Sequence, residues 1–113
     1  MQYSAGDVWW GPAIHKSAPS YRPWVIISND AHPFHHTECV AMAITTQAHS
    51  AGVEIRAEDW IRGGSKTDSY ISPWYVLTMK YCDFDRQQGT LRKGLLETAT
   101  DELTTYVFGV DQR

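Results

Sequence analysis

The segment Glu38–Thr45 constrains the fold more than any other part of the chain. Val40, Met42 and Ile44 alternate there with Cys39, Ala41 and Ala43, so a strand over these residues is apolar on both faces. Such a strand must lie inside a sheet, with side chains packed above and below it. Its neighbours are legible too. Asp7–Trp10 reads as a first short strand stopped by Gly11-Pro12, and Trp24–Ser28 as a strong second strand of β-branched and aromatic residues. Residues 11–21, with two prolines, read as a loop, and Asn29 to Thr37 as a turn-rich connection.

Further along, Gly52–Arg56 reads as a fourth strand and Trp60 to Asp68 as a glycine-bearing loop. Ser69–Ser72 and Tyr75–Met79 read as two strand pieces broken at Pro73, whose ring removes a ladder donor. The tail changes period. Ala99, Leu103, Tyr106, Val107 and Val110 recur at helical spacing, with Thr98 and Asp101 in the pattern of an N-terminal cap. Many short strands followed by one amphipathic helix predict an α+β, mainly β architecture, a barrel-like antiparallel sheet with a C-terminal helix. With 113 residues and no repeat or linker, the expectation is one domain over 1–113.

The formal charge of -3 excludes a globally basic nucleic-acid binder. Basic character is uneven, however: between Gly11 and His36 lie His15, Lys16, Arg22, His32, His35 and His36 against the single acid Asp30. A local positive patch suffices to guide a polyanion. Cys39 and Cys82 form no Cys-x-x-Cys pattern and read as two buried free thiols in a reducing compartment. With neither an apolar leader nor an apolar run near the ~20 residues of a membrane span, the expectation is a soluble cytoplasmic protein.

Two segments carry chemistry. Arg22-Pro23 heads the second strand, and Thr45-Thr46-Gln47 ends the third. A guanidinium recognises phosphate with a permanent planar charge, and hydroxyl and amide groups add hydrogen bonds to it. Together they point to chemistry on a phosphodiester of RNA. Arg22 suits the stabilisation of a charged phosphorane, Thr45 the holding of the phosphate, and His15, in the loop before Arg22, the carrying of a proton. Asp83 and Asp85 are weaker proton carriers. Lys16, Thr46 and Gln47 suit contacts to the RNA backbone, while Trp10, Tyr21 and Trp74, with Tyr75, offer faces for unpaired bases. The plainer alternatives are a surface ion pair for Arg22, an ordinary strand threonine for Thr45, and core roles for several of the five tryptophans. His32-x-x-His35-His36 with Glu38 fits no zinc signature and reads as a polar loop tip; no metal or cofactor is expected. Gly-x-Ser-x-Gly is absent, and Gly63-Gly64 matches no phosphate-binding loop.

These residues, in this order, resemble the PemK/MazF family of growth-inhibitor toxins. Gly6-Asp7-Val8-Trp9 resembles the family's opening strand, Arg22-Pro23-x-Val25-Ile26-Ile27 with Asn29-Asp30 its second, and Ala43-Ile44-Thr45-Thr46-Gln47 its third. The resemblance implies an SH3-like barrel, a homodimer, a cognate antitoxin, and metal-independent cleavage of single-stranded RNA through a 2′,3′-cyclic phosphate. It also implies that Arg22 and Thr45 carry catalysis. Where the family often has Gly-x-Glu-Gln in the first loop, this chain reads Ile14-His15-Lys16-Ser17-Ala18-Pro19-Ser20. Where some members carry an acid or an arginine, it reads Ser72-Pro73-Trp74-Tyr75. Two other readings stand beside this one: a toxin of the same fold acting on a protein such as a topoisomerase, and a catalytically silent barrel binding RNA or peptide.

Overall fold

The central strand sits where its two apolar faces require. In the computed structural model, which describes residues 3–14 and 20–109, β3 (Glu38–Thr45) lies third in a sheet of seven antiparallel strands. The others are β1 (Asp7–Pro12), β2 (Tyr21–Ile26), β4 (Val53–Ile55), β5 (Trp60–Gly63), β6 (Ser69–Lys80) and β7 (Gln87–Leu91). Their spatial order is β4-β6-β3-β2-β1-β7-β5, and the sheet curls into a half-barrel. One helix, α1 (Lys93–Phe108), closes it. The fold is mostly β with a single C-terminal helix, as the sequence predicts.

Alternation sorts the core into two clusters. Val8, Val25, Met42 and Ile44 point to one face, where Leu95, Leu96 and Ala99 of α1 cover them. Trp9, Trp24, Ile26, Cys39, Ala41 and Ala43 point to the other, covered by Tyr3, Tyr75, Tyr81 and Phe84. Burial of each large apolar side chain contributes about 1.5–3 kcal/mol, so an eight-residue strand buried on both sides anchors the domain. Gly6-Asp7 bolts three strands together. Gly6 donates to the Ile26 carbonyl and accepts from Leu91 N–H, while Asp7, buried, accepts from Thr90 Oγ1 at 2.9 Å and Ser4 N–H at 3.0 Å. Gly6 has φ 97°, and a Cβ there would stand 2.8 Å from the Leu91 carbonyl oxygen.

Four expectations are corrected. Pro73 does not break β6: the ladder passes from Ala43↔Ser72 to Met42↔Val76, and residues 73–75 bulge out between these pairs. Part of the expected loop at Trp60–Asp68 is strand β5, which pairs with β7. The helix starts at Lys93 after Arg92, not at Thr98, because Leu95 and Leu96 belong to its buried stripe; Thr98 Oγ1 instead donates to the Gly94 carbonyl at 3.1 Å. Cys39 is buried as expected, but Cys82 is exposed. Val110, expected in the helix, lies outside the described residues. No helix among the described residues is long and apolar enough to cross a membrane.

Candidate functional site

Strand register brings Arg22 and Thr45 to one place. β2 and β3 pair as Trp24↔Ala43, Val25↔Met42 and Ile26↔Ala41, and carrying that register two residues further sets Arg22 opposite Thr45. Directly opposed residues share a face, here the aromatic face of Trp24 and Ala43. On the β1 side the partner of Arg22 is Gly11, where a Cβ would stand 3.1 Å from both the Met79 methyl and the Phe84 ring. Pro23 fixes the backbone between Arg22 and the fully buried Trp24.

Contacts then fix the guanidinium. Arg22 Nε and Nη2 donate to the Ile44 carbonyl at 3.3 and 3.2 Å, one residue before Thr45. Its central carbon lies 5.4 Å from the Tyr75 ring and 5.9 Å from the Trp24 ring, and those two rings meet edge-on at 5.3 Å. The β6 bulge at Pro73 is what brings Tyr75 there. The described residues hold ion pairs at Arg56–Glu54, Lys80–Glu38 and Arg92–Asp59, but Arg22 meets no carboxylate. It is a half-buried cation held by a neutral carbonyl and two aromatic faces, with no hydrogen bond from Nη1 among the described residues. A charge so placed lacks only an anion.

Thr45 is half-buried, and its Oγ1 accepts from Gln47 N–H at 3.1 Å. That bond uses a lone pair and leaves the hydroxyl proton free to donate. Thr46 and Gln47 are exposed on the loop that follows. In the same loop, His49 packs its ring 5.0 Å from Trp74, a neighbour of Tyr75. His49 was not singled out by sequence reasoning, which favoured the loop before Arg22. The available signal was an imidazole four residues beyond Thr45.

The other predicted residues are placed as follows. Trp10 pairs with Pro23 and Tyr21 with Pro12, so both belong to the face opposite Arg22. Trp10 instead carries the Arg86 guanidinium 4.9 Å from its ring. His15 and Lys16 lie outside the described residues. Trp74 is 46% exposed beside His49. Asp83 and Asp85 belong to the turn between β6 and β7. His32, His35 and His36 sit in the β2–β3 connection, at the other end of these strands from Arg22. His32 Nδ1 accepts Phe34 N–H there, and no group of three His, Cys, Asp or Glu side chains among the described residues converges as a metal site. A cavity of about 710 Å³ also opens at that end, lined by Tyr3, Ser28, Asp30, His35, His36 and Tyr81. No Lys or Arg is among its lining residues.

Comparison with solved structures finds the same fold repeatedly. A mycobacterial endoribonuclease in complex with its cognate antitoxin is 18% identical, with a TM-score of 0.67, 98% of this chain covered and 97% of that one. The Mycobacterium tuberculosis toxin MazF-mt6 is 23% identical, with a TM-score of 0.66 and coverages of 93% and 98%. MazF from Deinococcus radiodurans is 14% identical, with a TM-score of 0.73 and coverages of 97% and 99%. At such identities the likeness establishes the fold. Comparison with curated proteins gives no match. The family model for PemK-like, MazF-like toxins of type II toxin–antitoxin systems matches residues 4–106, a span that includes Arg22, Thr45 and both core clusters. This chain belongs to that family.

Proposed function

We propose that the chain is a metal-independent, sequence-specific endoribonuclease that cuts single-stranded RNA, leaving a 2′,3′-cyclic phosphate. The observation that carries this reading is Arg22, a cation with no carboxylate partner among the described residues, opposite the Thr45 hydroxyl on one sheet face. In the reaction the 2′-hydroxyl loses its proton, its oxygen attacks phosphorus, and the bond from phosphorus to the 5′-oxygen breaks. Negative charge grows on the phosphorane oxygens. Arg22 meets that charge through Nη1, while Nε and Nη2 stay anchored on the Ile44 carbonyl. Thr45 donates its hydroxyl proton to a non-bridging oxygen, its orientation set by Gln47 N–H. His15 is the proposed proton carrier, taking the 2′-hydroxyl proton and returning a proton to the departing 5′-oxygen, and Lys16, Thr46 and Gln47 are the proposed backbone contacts. We assign Trp10 and Tyr21 no role at this phosphate, because they belong to the other face.

In this reading the protein works in the cytoplasm as a homodimer, with two such sites along one groove. A cognate antitoxin inhibits it by laying an acidic segment over the cations, as a mimic of the RNA backbone. Incubating the purified protein with a long defined RNA in EDTA, then mapping the cut ends, tests the proposal. Discrete cuts ending in 2′,3′-cyclic phosphate and 5′-hydroxyl are expected. Intact RNA bound by the protein would favour the silent barrel, and neither binding nor cutting would favour a protein target. Cleavage abolished by EDTA would overturn the metal-independent chemistry.

A further inference from the structure

Building on the nuclease reading, we infer that His49 and Trp74 form a shelf that holds the nucleobase beside the scissile phosphate, Trp74 by stacking and His49 by donating a hydrogen bond. The bulge in β6 is the first ground. Three residues have no partner on β3, and they divide their side chains: Pro73 is fully buried, Tyr75 goes to the Arg22 guanidinium, and Trp74 stays 46% exposed. Bulges of this kind re-aim side chains beside working sites. A large ring kept in water one residue from a phosphate-sized cation is poorly explained by packing.

The second ground is the imidazole. Ala51 N–H donates to His49 Nδ1 at 3.0 Å, which sets the proton of the neutral ring on Nε2. Nε2 lies on the ring edge away from that bond and is a fixed donor. The His49 ring is inclined 58° to Trp74 at a centroid distance of 5.0 Å, so it braces the indole without lying flat over it. A base laid on the indole on the side that the imidazole occupies would meet that donor at its edge. Bases that turn an acceptor to that edge, such as a purine N7 or a pyrimidine carbonyl, are selected over those that turn an amino group. The shelf is tied to the phosphate site at both ends, since His49 follows Thr45 in one loop and Trp74 adjoins Tyr75. A single-stranded nucleic acid presents a phosphate and an unpaired base side by side, and the nuclease reading makes that polymer RNA.

The test uses the full chain and a 2′-O-methyl RNA of the cut sequence, which binds but lacks the nucleophile. Trp74→Ala is expected to weaken binding about tenfold, while Trp74→Phe stays within about threefold of the wild type. An abasic nucleotide beside the cut position should weaken wild-type binding by the same factor and leave Trp74→Ala binding unchanged. His49→Ala should flatten the preference for the base at that position, and His49→Gln, which keeps a donor, should retain part of it. Circular dichroism of each variant confirms that the loss is not unfolding. The shelf is overturned if Trp74→Ala binds as tightly as the wild type, or if the abasic loss is equal in both proteins. In either case continued cleavage of ordinary RNA would leave the nuclease reading standing. A wild-type chain that neither binds nor cuts RNA would instead bring down the nuclease reading, and the shelf with it.

Discussion

Two arginines at two rims of the same sheet are used in opposite ways. Arg92, at the start of α1, reaches Asp59 Oδ1 at 2.7 Å, and that carboxylate is 5% exposed. Asp59 Oδ2 also accepts Arg56 N–H at 2.7 Å, so the helix, β5 and the turn before it meet at one neutralised charge. Arg22, at the start of β2, has a neutral carbonyl and two rings instead. One cation is matched by an internal anion and holds the fold; the other meets no carboxylate among the described residues, and the nuclease reading gives it the RNA phosphate. Strand ends on the aliphatic face are closed by the helix, whereas no helix among the described residues covers the aromatic face where β2 begins and β3 ends.

Exchanging the two roles is the strongest way to break this comparison. Arg22→Ala should lower the cleavage rate about a hundredfold or more, because a preorganised charge at the phosphorane is lost. Stability should fall by only about 1 kcal/mol, the scale of the carbonyl bonds and ring contacts removed. Arg22→Lys should recover little, since a point charge cannot bond the Ile44 carbonyl and a phosphate as a planar fork does. Single-turnover cleavage and urea unfolding on the same preparations separate the two effects. Equal losses of activity and stability would mean that Arg22 is structural.

Arg92→Ala should behave inversely. Removing it leaves the buried Asp59 with only the Arg56 N–H, at an expected cost of about 1–3 kcal/mol, moderated because the Arg92 side chain is half in water. Cleavage per folded molecule should not change. A shifted urea midpoint with an unaltered rate is the expected result, and a lost rate would show that the helix corner reaches the site.

The same contrast explains what was legible in the sequence. β3 followed from alternation because it is buried on both faces, and its end at Thr45 is where the sequence places it. β1 instead runs on through Gly11-Pro12, and β2 begins at Tyr21, three residues before Trp24, so Arg22 lies within the strand. β5 and β7 were not legible as a pair. Their apolar content is low, and Gly63 and Gly89 look like loop residues, yet they are directly opposed, and a Cβ on either would strike the other strand's backbone. Glycine there permits close approach of the edge strand β5 to β7. Pro73 misled for a related reason: with no donor it cannot pair, but the long strand bulges around it and continues. His49 was invisible as a site residue because its link to Trp74 spans a loop and a bulge that no local periodicity reports.

A pH dependence sharpens the comparison within the aromatic face itself. Arg22 marks its half-buried end; Cys39, at the far end of β3, marks its fully buried end. Cys39 is fully buried, and burial first, then the neighbouring Glu38 charge, pushes its thiol up to about 12 from an ordinary 9.0. The folded chain therefore holds this proton between pH 9 and 12, while the unfolded chain releases it. Stability from this group is complete below pH 9 and falls as the pH rises through that window, approaching about 1.4 kcal/mol per pH unit for one proton. Urea midpoints between pH 8 and 11 (taken about half a unit apart) should decline less steeply in Cys39→Ala than in the wild type. At about pH 8 a thiol reagent should modify the exposed Cys82 in the native protein and reach Cys39 only after unfolding. Rapid native labelling of Cys39 would mean that the face opens at its buried end, and the guanidinium at Arg22 would then owe its unpaired state to a loose face rather than to a built site.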